Sequence, residues 1–228
     1  MLPHEKEAER QAFREMSPKK KLQHFLTYYS VQTAAVAAVI LCVIFLVWHF
    51  CFKPRNVNTF VAAVFNDMFP EDKKSAFCEK VRDLLDAHEP RQLVRVDDDF
   101  NLSTPQDQVR ISVLTAAGEY SLIVASRETF QQLAGYGYFE NLEDILSKET
   151  AAEYSTCFFR TPGRLDTESY SLDDIESGRG EPLNYGISLK DSKLWAELGG
   201  TLDDPIAGVP IQAGNLDNAR IVLDALMK

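Results

Sequence analysis

Residues 31–52 read VQTAAVAAVILCVIFLVWHFCF, a run without a single Asp, Glu, Lys or Arg. Wound into an α-helix at about 1.5 Å per residue, it reaches roughly 33 Å, which matches the ~30 Å hydrocarbon core of a bilayer. Its polar residues stand near the ends, with Gln32 and Thr33 at one and His49 at the other. Phe25, Tyr28 and Tyr29 precede it, and Trp48, Phe50 and Phe52 close it, as in the aromatic belts of membrane interfaces. The competing reading is a helix buried in a protein core. That needs a chain able to wrap the run on every side, and the remainder of this one is too small. The pattern predicts one transmembrane helix. The run is too long, and starts too late, for a cleaved secretory signal, so an uncleaved anchor is expected.

Charge sets the expected direction. Residues 1–30 carry six Lys/Arg against four Glu, whereas the remainder carries 18 basic and 30 acidic residues, a net of −12. Arg14, Lys19, Lys20 and Lys21 outnumber Lys53 and Arg55 across the anchor, so the positive-inside rule places the N-terminus in the cytoplasm. The expected layout is a cytoplasmic basic and aromatic tail at 1–30, the anchor at 31–52, a linker at 53–57 and an extracytoplasmic domain at 58–228. The lipid bilayer is thus an expected partner. An acidic domain repels phosphate backbones, which argues against nucleic acid.

The domain alternates strand and helix patterns, which implies a layered α/β fold. Asn58–Phe69, which contains the apolar TFVAAVF, reads as a strand, and EDKKSAFCEKVRDLLD, from Glu71, as a helix with Phe77, Val81, Leu84 and Leu85 in one stripe. Gln92–Val96 reads as a strand, with Asp97, Asp98 and Asp99 in a solvated turn after it. Thr104-Pro105 has the form of a helix start, yet VRISVLTAAG fits both periods. Val109, Ile111 and Val113 alternate, while Val109, Val113, Leu114 and Ala117 share a helical face. Further strands are expected at 121–126, 156–160, 183–189 and 208–213, and further helices after Ser126, Asn141, Ser192 and Asn215. The Gly-, Ser- and acid-rich stretch 162–182 reads as a solvated loop or a weak hairpin.

The segment Ala117-Gly118-Glu119-Tyr120-Ser121-Leu122-Ile123-Val124-Ala125, followed by Phe130, Leu133-Ala134, Gly137-Tyr138-Phe139 and Leu142, resembles a signature of extracellular solute-binding proteins. Tyr185-Gly186-Ile187-Ser188-Leu189 and the strand and helix after it continue the likeness. The chain as a whole resembles small single-pass membrane proteins of low-GC Gram-positive bacteria, which join a Lys- and aromatic-rich start, one anchor and a solute-binding-like domain. This resemblance implies a helix at 105–117 and a type 2 periplasmic-binding-protein-like lobe. Ser121 stands where the signature usually has Asp. About 175 residues are also too few for the two lobes of a full binding protein.

No HExxH, G-x-S-x-G, P-loop or CxxC occurs, which leaves no nucleophile–base pair to nominate and no cofactor or metal expected. His88, the one histidine of the domain, reads as a helix C-terminal residue. Asp97 to Gln108 lacks the Gly and Glu of an EF-hand loop. Tyr136, Tyr138 and Phe139 beside Gly135 and Gly137, with Tyr185 and Trp195, are candidates for stacking on a ligand, against a plainer reading as packing. Cys78 and Cys157 are candidates for a disulfide, which an outward-facing domain permits. The sequence therefore points to a non-catalytic membrane-anchored binding or accessory module. It would take a small solute or a neighbouring membrane protein. The alternative is a structural or regulatory single-pass protein.

Overall fold

The computed structural model describes residues 17–20, 30–52, 57–164 and 178–228. The chain divides into two compact units, Met1–Arg55 and Asn56–Lys228. Most of the tail at 1–30, residues 53–56 of the linker at 53–57 and the loop core at 165–177 lie outside the described residues.

In the first unit, helix α1 covers Ser30–Val47 and continues as a π-helical turn, Trp48–Phe52. It is apolar all round, and Val39, Leu41, Phe45 and Trp48 are exposed. Among the described residues, no helix is long and apolar enough to cross a membrane. At about 1.5 Å per residue, the 18 α-helical residues reach roughly 27 Å, short of the ~30 Å core, before the geometry changes.

The second unit is a mixed α/β fold around one six-stranded sheet. Its strands are β1 (Val57–Phe65), β2 (Gln92–Phe100), β3 (Leu122–Ser126), β4 (Phe158–Pro162), β5 (Pro182–Ser188) and β6 (Pro205–Gly208), in the spatial order β2-β1-β3-β6-β5-β4. The pairs β2–β1 and β1–β3 are parallel, and the others are antiparallel. Helices α2 (Glu71–Leu84), α3 (Pro105–Ala116), α4 (Arg127–Gly135), α5 (Leu142–Ile145), α6 (Lys148–Glu153), α7 (Lys193–Leu198) and α8 (Leu216–Met227) connect them.

Strand β1 shows why the sheet lies in the middle. Successive side chains point to opposite faces, and both sets are apolar. Phe60, Ala62 and Val64 join a cluster with Val81 of α2, Leu198 of α7 and Leu223 of α8. Val61, Ala63 and Phe65 join the opposite cluster with Ile111 of α3 and with Phe130 and Leu133 of α4. A strand buried on both sides reads as a continuous apolar run, as TFVAAVF does.

Several expectations need correction. Residues 105–116 are a helix, with the Thr104 side chain accepting from the Asp107 N–H at its start. Its interior positions, however, are Ile111 and Thr115, not the Val109/Val113 stripe. The first strand stops at Phe65, short of 69. The aspartate triplet belongs to β2 rather than a turn, and Asp98 is buried. The strand expected at 208–213 lies earlier, at Pro205–Gly208. Beyond it, Pro210 makes a single bridge to Phe139, and the Val209 carbonyl and Ile211 N–H bond to Glu140 and Tyr138 instead. Proline has no N–H for a ladder, which ends the strand there.

The bridge between Cys78 and Cys157 is not formed, and both thiols are free. Cys78 faces Val96 of β2, at one edge of the sheet, whereas Cys157 leads into β4 at the other edge. Five strand spacings of ~4.8 Å separate those edges, far beyond the ~7 Å Cα separation a disulfide tolerates.

Candidate functional site

Helices α3 and α4 both end on a glycine with positive φ, and these two ends shape the site. After α4, Gly137 (φ +80) donates to the Ala134 carbonyl at 2.9 Å, and Tyr138 N–H donates to the Leu133 carbonyl at 3.2 Å. This is a Schellman stop, which brings the residue after the glycine back towards the last helical turn. Gly118 (φ +69) ends α3 in the same way, with Glu119 N–H on the Leu114 carbonyl at 3.0 Å.

Between the two helices lies a groove of about 440 Å³. Ile111 and Leu133 form its buried base, Val109 and Val113 line it from α3, and Tyr136 and Tyr138 line it from the α4 end. Leu102, Gln108 and Ser112 complete the lining, and none of these residues is charged. Val109 is 64% exposed, Val113 59% and Tyr136 39%. The Tyr136 hydroxyl accepts from Gln132 Nε2 at 3.1 Å, one turn back along the same helix end. The groove can bury apolar surface and offer phenol, amide and hydroxyl groups at its margin. It presents no charge to select an ion.

The five aromatic candidates are not one constellation. Tyr136 and Tyr138 line the groove. Phe139 is core, stacked on Phe130 with ring centroids 4.1 Å apart. Tyr185 is half-buried on β5 and packs against the same cluster from its edge. Trp195 lies in the cluster across the sheet, edge-on to Phe69 at 5.5 Å. Val109 and Val113 were missed as site residues because their spacing fits an inward face equally well. The available signal was the charge pattern of α3, whose only ionic residues are Asp107 and Arg110.

A second cleft, of about 460 Å³, lies at the carboxyl ends of β1 and β2, the usual place for ligands in open α/β sheets. Its acids are engaged by the protein's own donors. The buried Asp67 carboxylate accepts from Thr201 N–H and hydroxyl and from Met68 N–H. Asp98 accepts from Phe69 N–H at 2.7 Å and Lys74 Nζ at 3.2 Å. Asp99 pairs with Arg110 at 2.9 Å, and that hydrogen bond holds its carboxyl below the usual range. Among the described residues, no group of three or more His, Cys, Asp or Glu side chains is placed to hold a metal ion. His88 is exposed at the end of α2, with Nε2 3.9 Å from Asp83 and 3.8 Å from Asp86.

Comparison with protein-family models, with curated proteins and with solved structures finds no match for this chain.

Proposed function

We propose that this chain is a membrane-anchored, extracytoplasmic binding or accessory module that performs no chemistry of its own. The uncharged groove between α3 and α4 would be its binding surface. The observation that carries this reading is the exposure of Val109 and Val113 beside Tyr136, in a domain otherwise rich in charge. Exposed apolar surface of this kind marks contact sites. The anchor rests on the charge-free run, in which 18 α-helical and five π-helical residues follow one another. It also rests on the basic flank before that run. The layered α/β domain is compatible with the resemblance to a single solute-binding lobe.

A second reading, a structural or regulatory role through protein–protein contact, is favoured by how open the groove is on the α3 side. Thermal unfolding of residues 56–228 against a panel of uncharged solutes and amphiphiles separates the two. A midpoint rise of several degrees, lost in Tyr136→Ala and Tyr138→Ala, supports small-ligand binding. A flat response across the panel moves the role to protein contact. Protease treatment of intact cells tests the topology, and a C-terminal part left uncut would overturn it.

A further inference from the structure

We infer that a second site, on the opposite side of the sheet from the α3–α4 groove, takes a small organic monocarboxylate. It is a pocket of about 200 Å³ between α2 and α7.

The pocket follows from the spacing of residues on α2. Lys73, Ala76, Phe77 and Lys80 stand at i, i+3, i+4 and i+7, so they share one side of the helix. Leu194, Glu197 and Leu198 keep the same spacing on α7 and line the pocket with them. Phe77 and Leu198 are buried, and with Ala76 and Leu194 they make an apolar floor. Both belong to the core cluster on this side of the sheet, whereas Ile111 and Leu133, the base of the groove, belong to the other cluster.

Charge then narrows the ligand. Lys80 is paired with Glu197, which joins α2 to α7 and leaves no net charge at that end of the pocket. Lys73 has no partner among the described residues, whereas its neighbour Lys74 is engaged by Glu71 and Asp98. The lining therefore carries one uncompensated positive charge, in a chain whose residues beyond 30 carry a net of −12. An ammonium group beside apolar surface suits a ligand with two matching parts, an apolar body for the floor and a carboxylate for Lys73. A cation would meet like charge at Lys73. An inorganic anion would leave the floor unused, and a dianion would find only one unpaired ammonium. Size agrees with this choice. An apolar cavity of about 150 Å³ holds one benzene ring, so about 200 Å³ has room for a ring and a carboxylate.

The test uses the full chain in nanodiscs of zwitterionic lipid, with para-fluorobenzoate as the probe and its fluorine NMR line width as the readout. Saturable broadening is expected, with affinity lowered about ten-fold by Lys73→Glu and by Ala76→Glu. Lys148→Glu, the same change of charge on exposed α6, should leave it unaltered. The neutral probe para-fluorobenzamide should bind about ten-fold more weakly than the carboxylate. Glu197→Gln frees Lys80, and should shift the preference towards the dicarboxylate fluoroterephthalate. All of these substituted positions are exposed, so circular dichroism should match the parent. Equal binding of the carboxylate and the amide, or affinity untouched by Lys73→Glu, would overturn the inference. So would the absence of saturable broadening at about 20 mM probe. Broadening lost in Tyr136→Ala but kept in Lys73→Glu would seat the probe in the α3–α4 groove, which overturns this site and supports that one.

Discussion

The carboxylate of Asp67, at the end of β1, accepts the backbone N–H of Thr201 at 2.8 Å and its hydroxyl at 2.9 Å, across 134 residues of sequence. Asp67 is only 4% exposed, and it also accepts from the N–H of Met68. It therefore ties the loop before β6 to the end of β1, and its removal strands several donors at once. Asp67→Ala is expected to cost about 2–4 kcal/mol, measured as a lower urea midpoint with an unchanged slope. Asp67→Asn, which keeps the shape and one acceptor oxygen, should cost less.

Asp97 gives a pH-dependent prediction of the less common sign. Burial raises its carboxyl above the ordinary 3.8, against the opposing pull of Arg95 and Arg110. A carboxylate raised in the folded state is penalised once ionised. That penalty is present at neutral pH and fades as pH falls through the folded value. Asp97→Asn should therefore raise stability relative to the parent at pH 7, and the gap should close on acidification towards pH 4. Urea midpoints at the two pH values check this.

Asp204 runs the other way. Burial opposes its charge, but the Ser188 hydroxyl, donating at 2.6 Å, and Arg127 outweigh it and hold the carboxyl below 3.8. Its contribution is present above the unfolded value and lost as pH falls through the folded one. Asp204→Asn should lower stability at pH 7 by about 1 kcal/mol, kept small by the exposure of Arg127. As pH falls through the folded value, below 3.8, the two proteins should converge.

Gly186 and Gly208 test the packing beneath α4. A Cβ on Gly186 would lie 2.5 Å from Ile206 and 2.7 Å from Phe130, and one on Gly208 would lie 2.7 Å from Phe130 and 2.9 Å from Phe139. Each alanine substitution forces the Phe130–Phe139 stack aside. A loss of about 1–3 kcal/mol is expected, read by denaturant unfolding.

The separation of Cys78 and Cys157 predicts that alkylation of the unfolded, unreduced chain labels both. In the folded domain, buried Cys78 should react much more slowly than half-buried Cys157.

The sequence revealed most where one local pattern had one solution. TFVAAVF is apolar on both alternations and became β1, held between β2 and β3 and buried on both faces. In EDKKSAFCEKVRDL, Phe77 and Val81 turn inward, as their spacing implied, while Leu84 at the end of the helix is exposed. The orientation of α3 was not legible, because Val109/Val113 and Ile111/Thr115 are equally periodic stripes. What decides between them is tertiary: Arg110 must reach Asp99 of β2, and Ile111 must meet the second core cluster. The end of β6 was hidden for a similar reason. Residues 209–211 stay apolar, but their hydrogen bonds go to the 138–140 loop, a pairing no local pattern encodes. Of the aromatic candidates, Tyr136 and Tyr138 were placed by a glycine stop visible in the sequence. The interior positions of Phe139 and Trp195 depended on which elements cover them.

Helix α8 closes over the strand that leads the domain, and Asn218 Nδ2 donates to the Thr59 carbonyl at 2.8 Å, 159 residues back. On the ribosome, β1 emerges first, and the cover on one of its sides, begun by α2, stays incomplete until residues 216–227 have been made. For most of synthesis, that face of the strand therefore waits with only part of its lid. Nascent chains stalled before residue 216 should be held by chaperones or degraded, rather than accumulate as a folded intermediate.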